Sequence, residues 1–176
     1  MPDTTAAAID ALSARLESAP SATAVLEAWC AERGMAAEPK LVAQKVHDLR
    51  KPADAAQRAR LGIGQDEPVV YRRVRLSCGA HVLSEADNWY VPSRLTPEMN
   101  AILATTDIPF GRVVKPLAPS RRNLAIKRIW TGPEGRIAGS DEPLFSVAAI
   151  LSTGAGVPFC EVVETYKGAV LARGPR

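Results

Sequence analysis

Val69-Val70-Tyr71-Arg72-Arg73-Val74-Arg75-Leu76-Ser77, then Cys78-Gly79-Ala80-His81, then Val82-Leu83-Ser84-Glu85-Ala86-Asp87-Asn88-Trp89-Tyr90-Val91 and a closing Pro92 read as a β-hairpin. Val70, Val74 and Leu76 recur at period two, the spacing that puts side chains on one face of a strand. The four-residue segment with a glycine supplies the reversal. Working outward, residues 121–130, 144–152 and 158–166 predict three more strands, and Thr131 to Pro143 is a loop rich in Gly, Pro and acid. Upstream, Ile9, Leu12 and Leu16 predict a helix over 5–18. After the break at Ser18-Ala19-Pro20-Ser21, either Ser21 or Thr23 can cap a second helix. Val25, Leu26 and Trp29 lie on one face of it, and Gly34 stands just past its end. A short helix is predicted within 51–61. A further helix opens with Thr96 as N-cap, Pro97 at its first position and Glu98 against the dipole, then Met99, Ile102 and Leu103 as its buried stripe. Helices followed mostly by hairpin-linked strands make this an α+β chain with an antiparallel sheet.

With 176 residues, 47% hydrophobic and 23% charged, the chain reads as one globular domain. No apolar run approaches the roughly 18 residues that span a bilayer, so no membrane partner is expected. Met1-Pro2-Asp3-Thr4-Thr5 lacks the basic and apolar regions of a signal peptide. Cys30, Cys78 and Cys160 are odd in number and widely spaced, which predicts reduced thiols and a cytoplasmic location. His47 and His81 are too isolated for a histidine metal centre. The net charge of +3 is dispersed and only 5% of residues are aromatic, which argues against nucleic acid. A small anionic ligand is the milder use of that charge.

Within the hairpin, Arg72 shares a face with Val70, Val74 and Leu76, whereas Arg73 and Arg75 share the other with Tyr71 and Ser77. A guanidinium on an apolar face needs an anion: either a ligand carboxylate held bidentately or a structural partner such as Glu164. In the last strand, Cys160, Val162, Glu164 and Tyr166 share one face, while Glu161, Val163, Thr165 and Lys167 share the more polar one. Glu164 is thus the expected buried acid. It would hold a proton in an apolar pocket or pair with Arg72. Pro109-Phe110-Gly111-Arg112 reads as a turn whose glycine permits close backbone approach. Arg121 and Arg122 begin a strand, and at least one of them is expected on the solvated surface. Gly154-Ala155-Gly156 lies between two strands, so it has the wrong context for a phosphate loop.

Together these stretches resemble the chorismate pyruvate-lyase family and, more distantly, the effector-binding domains appended to some bacterial transcription regulators. The resemblance covers roughly residues 21–166. It is carried by Ser21-Ala22-Thr23-Ala24-Val25-Leu26-Glu27, Arg72-Arg73-Val74-Arg75-Leu76, Ala86 to Pro92, Pro109-Phe110-Gly111-Arg112 and Val163-Glu164-Thr165-Tyr166. It implies a six-stranded antiparallel sheet flanked by helices and a reaction that expels pyruvate from chorismate, leaving 4-hydroxybenzoate, with no metal or cofactor. Arg72 would hold the ring carboxylate, Glu164 would meet the ring oxygen, and main-chain groups at Ala22 and Phe110 would complete the grip. Counting back from Pro92 without a gap sets Arg73 at the arginine position, and a count from Pro158 sets Glu161 at the acid. Strand facing selects Arg72 and Glu164 instead. The implied organisation is an N-terminal helical extension over 1–20, one domain over 21–170 and a flexible tail over 171–176. The rival to a carbon–oxygen lyase is a non-catalytic binder of small aromatic or cyclic carboxylates on the same fold. With roughly 20 residues before Ser21, no helix-turn-helix is expected ahead of the domain, an expectation that favours an enzyme or a free-standing binder.

Overall fold

The computed structural model describes residues 4–175. Residues 1–3 of the expected extension and residue 176 of the expected tail lie outside them. Among them, five α-helices and six strands are arranged as α1 (Thr5–Ser18), α2 (Ala22–Glu32), β1 (Leu41–Lys45), α3 (Ala55–Leu61), β2 (Val70–Cys78), β3 (His81–Tyr90), α4 (Pro97–Thr105), α5 (Phe110–Val113), β4 (Ser120–Arg128), β5 (Pro143–Ser152) and β6 (Pro158–Lys167). The strands form one antiparallel sheet in the order β1-β2-β3-β6-β5-β4. This is the expected α+β class and strand count.

Local chemistry sets the element ends. Thr4, Ser21 and Thr96 each accept a backbone N–H in the first turn of α1, α2 and α4. Asp54 and Gln57 close a capping box on α3, which begins only at Ala55 because that cap lies inside the expected helix. The β2–β3 reversal is tight, with Gly79 at φ +56° where a side chain would be strained. β1 is the strand that periodicity missed. Its five residues alternate in burial, but two of them are Gln44 and Lys45, too short a pattern to stand out.

One face of the sheet is covered twice. α1 and α2 pack Leu12, Leu16, Leu26 and Trp29 on Val74, Ala86, Val147 and Tyr166. α4 and α5 pack Leu103, Phe110 and Val113 on Tyr90, Leu151 and Val162. The opposite face carries α3 over Ile150 and Val91, and elsewhere a set of ion pairs. The first helix therefore shares the main core with the rest of the chain. The expected tail is tethered: Arg33 donates to the carbonyls of Leu171 and Ala172, and the Gly174 N–H donates to the Arg33 carbonyl at 2.9 Å.

The cysteine expectation needs correction. Cys30 at the end of α2 and Cys78 at the end of β2 are joined by a disulfide, both fully buried, with Cα atoms 6.4 Å apart. A separation of 48 residues hid the proximity, which arises only when α2 lies along the sheet. Cys160 is the free cysteine, and burial raises its thiol pKa well above the ordinary value.

Candidate functional site

Between the two helical layers on the covered face lies a cavity of about 60 Å³. Ala22 and Thr23 of α2 form one wall, and Phe110 and Gly111 of α5 face them. The floor is sheet: Val74, Ala86, Asn88, Val162 and Glu164. All five stretches singled out in the sequence thus contribute to the lining. Arg72 itself is not in the cavity wall. Its cross-strand partner Asn88 is, as is Val74, the next residue along its face.

Strand register explains the convergence. Arg72 stands opposite Asn88, Asn88 opposite Val162, and Val162 opposite Ala149, which sets them in one row. Ala86, Glu164 and Val147 form the next. Arg72 and Glu164 therefore point to the same side. Arg73 and Glu161 point to the other. There Arg73 donates to Asp87 at 3.0 Å and Glu85 at 2.6 Å, and Glu161 accepts two hydrogen bonds from Arg60 of α3.

Arg72 is 7% exposed, and none of its three guanidinium nitrogens has a hydrogen-bond partner in the protein. Burial holds its pKa below the ordinary arginine value, against weaker support from Tyr90, Cys160 and Asp107. Beside it, the Asn88 side-chain oxygen is also buried without a partner. Glu164, expected to stand alone or to meet Arg72, is instead ion-paired with Arg121, and both side chains are buried. Burial opposes the Arg121 charge, yet the charge and hydrogen bond of Glu164 hold its pKa above the ordinary value. Arg121 is the residue sequence reading undervalued. Its signal was its place on β4 opposite Leu151, which turns it inward while Arg122 is exposed.

Pro109-Phe110-Gly111-Arg112 is not a simple turn: Phe110 begins α5, and its ring sits 5.4 Å from Tyr90 and 6.2 Å from Phe159. Gly111 is required by contact. A Cβ there would lie 2.7 Å from the Thr23 hydroxyl oxygen. Among the described residues no group of three or more His, Cys, Asp or Glu side chains could hold a metal ion, and no helix is long and apolar enough to cross a membrane.

The arrangement is an antiparallel sheet with most of its helices packed over one face, a fold similar to that of effector domains of transcriptional regulators. The effector domain of PhnF from Mycobacterium smegmatis superposes with a TM-score of 0.58 at 16% identity, over 85% of this chain and 89% of that one. The possible transcriptional regulator YydK from Bacillus subtilis superposes with a TM-score of 0.50 at 17% identity over 77% of this chain, which spans 61% of its length. No protein-family model matches the sequence. The chain belongs to the family of the uncharacterized protein y4mC of Sinorhizobium fredii (strain NBRC 101917 / NGR234), with which it is 44% identical over 179 residues, covering 94% of this chain and 76% of that protein.

Proposed function

We propose that this domain is a non-catalytic receptor for a small aromatic or cyclic carboxylate. The carrying observation is Arg72, a buried guanidinium with three unpartnered nitrogens beside a cavity lined mostly by apolar side chains. Leaving such a group uncompensated costs several kcal/mol, on the order of what a bidentate carboxylate would recover. The likeness of the fold to an effector domain supports the same reading. Titration calorimetry with 4-hydroxybenzoate tests it: micromolar to millimolar binding is expected for the wild type and none for Arg72→Ala. Loss of binding in Arg73→Ala but not in Arg72→Ala would reject the assignment.

One observation favours keeping a second reading, a chorismate pyruvate-lyase. Glu164 lines one cavity with Ala22 and Phe110, and Arg72 lies on the same face of the sheet in the next row. Elimination driven by aromatisation needs little beyond orientation and charge placement. Incubation with chorismate at high protein concentration separates the two: pyruvate release supports the lyase, and binding without release supports the receptor.

A further inference from the structure

On the face of the sheet away from Arg72, the segment that leads into α3 and the start of the hairpin enclose a groove of about 410 Å³. That volume is in the range that takes a whole small molecule. Its aromatic lining is the cross-strand pair Tyr71 and Trp89, with ring centroids 5.5 Å apart. The polar tips of both rings are engaged. The Tyr71 hydroxyl donates to Asp87, and the Trp89 N–H donates to the Lys51 carbonyl at 2.8 Å. Trp89 is buried, so the half-buried Tyr71 is the ring with surface left for a ligand.

The charge in the groove is of one sign. Arg50, Lys51 and Arg58 line it and, among the described residues, no Asp or Glu does. Arg58 donates to the carbonyls of Gly64 and Glu67, and Lys51 shares Asp87 with Tyr71 and Arg73. Arg50 is exposed and makes no hydrogen bond or ion pair among the described residues. The rings are not stacked by these cations either. Arg15 and Arg33 lie over Trp29 and Arg136 lies over Trp130, whereas among the described residues no cation lies over Trp89 or Tyr71. Ring and charge stand side by side and are not spent on each other.

A planar base stacks on aromatic surface, and a phosphate offers several oxygens for several cations to share. An acid of one ring would leave much of the volume unfilled. We infer that this groove is a second ligand site, independent of the receptor reading above, and that it takes a mononucleotide, with the base against Tyr71 and the phosphate among Arg50, Lys51 and Arg58. One aromatic pair and three cations match one nucleotide, whereas a nucleic-acid strand needs a longer track of charge and of stacking rings.

Calorimetric titration of the full chain at low salt tests this with adenosine 5′-monophosphate, adenosine and ribose 5-phosphate. The nucleotide should bind saturably at submillimolar concentration, and each fragment about tenfold more weakly. Arg50→Gln, a change at an exposed position, should weaken the nucleotide about threefold and leave adenosine unchanged. Tyr71→Leu should weaken both, and Arg72→Ala neither. No saturation by the nucleotide, a fragment that binds as tightly as the nucleotide, or loss of nucleotide binding in Arg72→Ala would overturn the site. A short oligodeoxyadenylate binding more than about tenfold tighter than the mononucleotide would overturn it too, in favour of single-stranded nucleic acid.

Discussion

Arg121 reaches from β4 across β5 to Glu164 on β6, and the two form an ion pair with side chains 4% and 6% exposed. Among the described residues Glu164 is the only acid in the cavity wall, and this pair consumes it. Arg72, on the same face, is left with a guanidinium that the protein does not answer. The covered face thus carries two buried guanidinium groups and one carboxylate, which pairs with Arg121 and leaves Arg72 unpaired.

Replacing Arg72 should therefore make the protein more stable and less useful. Arg72→Leu removes an uncompensated buried charge and keeps the face apolar, with an expected gain of about 1–3 kcal/mol. In a thermal melt that is a rise of several degrees, accompanied by loss of any shift produced by 4-hydroxybenzoate. A variant that melts lower than the wild type would mean that the guanidinium already has a partner.

The Glu164 pair predicts the opposite sign. Glu164→Gln leaves Arg121 charged and buried, which should cost about 3–5 kcal/mol in urea denaturation. Replacing both partners with apolar residues of similar size, as in Arg121→Met with Glu164→Leu, should recover most of the loss. The coupling energy from the double-mutant cycle then measures the pair. Strictly additive losses would show that the two side chains do not act together.

The hairpin of β2 and β3 was legible because its alternation is long and its register is fixed by a tight turn, so the inward facing of Arg72 and Glu164 followed from period two alone. Who meets whom did not follow. Arg121 lies 43 residues from Glu164 and is separated from it by a strand, and only the strand order brings them together. The same limit hid the Cys30–Cys78 bridge and the fifth helix, whose four residues are too few to show a period. Faces are local properties of a strand, whereas partners across a sheet depend on topology.

The close approach of α5 to α2 makes Gly111 sensitive. A Cβ at 2.7 Å from the Thr23 hydroxyl oxygen cannot be accommodated without movement. Alanine gains roughly 1 kcal/mol of helix propensity over glycine, so the clash must exceed that to show. Gly111→Ala is expected to lower stability by about 1 kcal/mol net, and adding Thr23→Ala, which removes the obstructing oxygen, should restore it. Equal stability of Gly111→Ala and the wild type would mean that α5 shifts freely.

The opposite face of the sheet sets the response to acid. The Lys167 hydrogen bond, helped by Arg73, holds Glu85 below the usual carboxylate range. Burial alone would raise Asp87, but hydrogen bonds from Tyr71 and Arg73 outweigh it and hold Asp87 low as well. A depressed folded pKa means the unfolded chain takes up protons first, so this stability is complete above the unfolded value of roughly 4 and is lost as pH falls through the folded one. Urea midpoints should be level from neutrality to about pH 5 and fall below about pH 4. Asp87→Asn should flatten that fall, and an unchanged slope would place the acid sensitivity elsewhere.

The disulfide pins α2, the helix whose first turn walls the cavity, to the end of β2. Thiol titration of the unfolded chain without reductant should find Cys160 alone, and finding Cys30 and Cys78 reactive as well would remove the bridge. Closing a loop with a sequence separation of 48 is worth roughly 2–4 kcal/mol through the unfolded ensemble. Cys78→Ala should lose about that much, and the wild type under strong reductant should lose the same. Reductant should have no further effect on Cys78→Ala, because nothing is left for it to cleave. If it destabilises that variant too, it is acting somewhere other than the α2–β2 link.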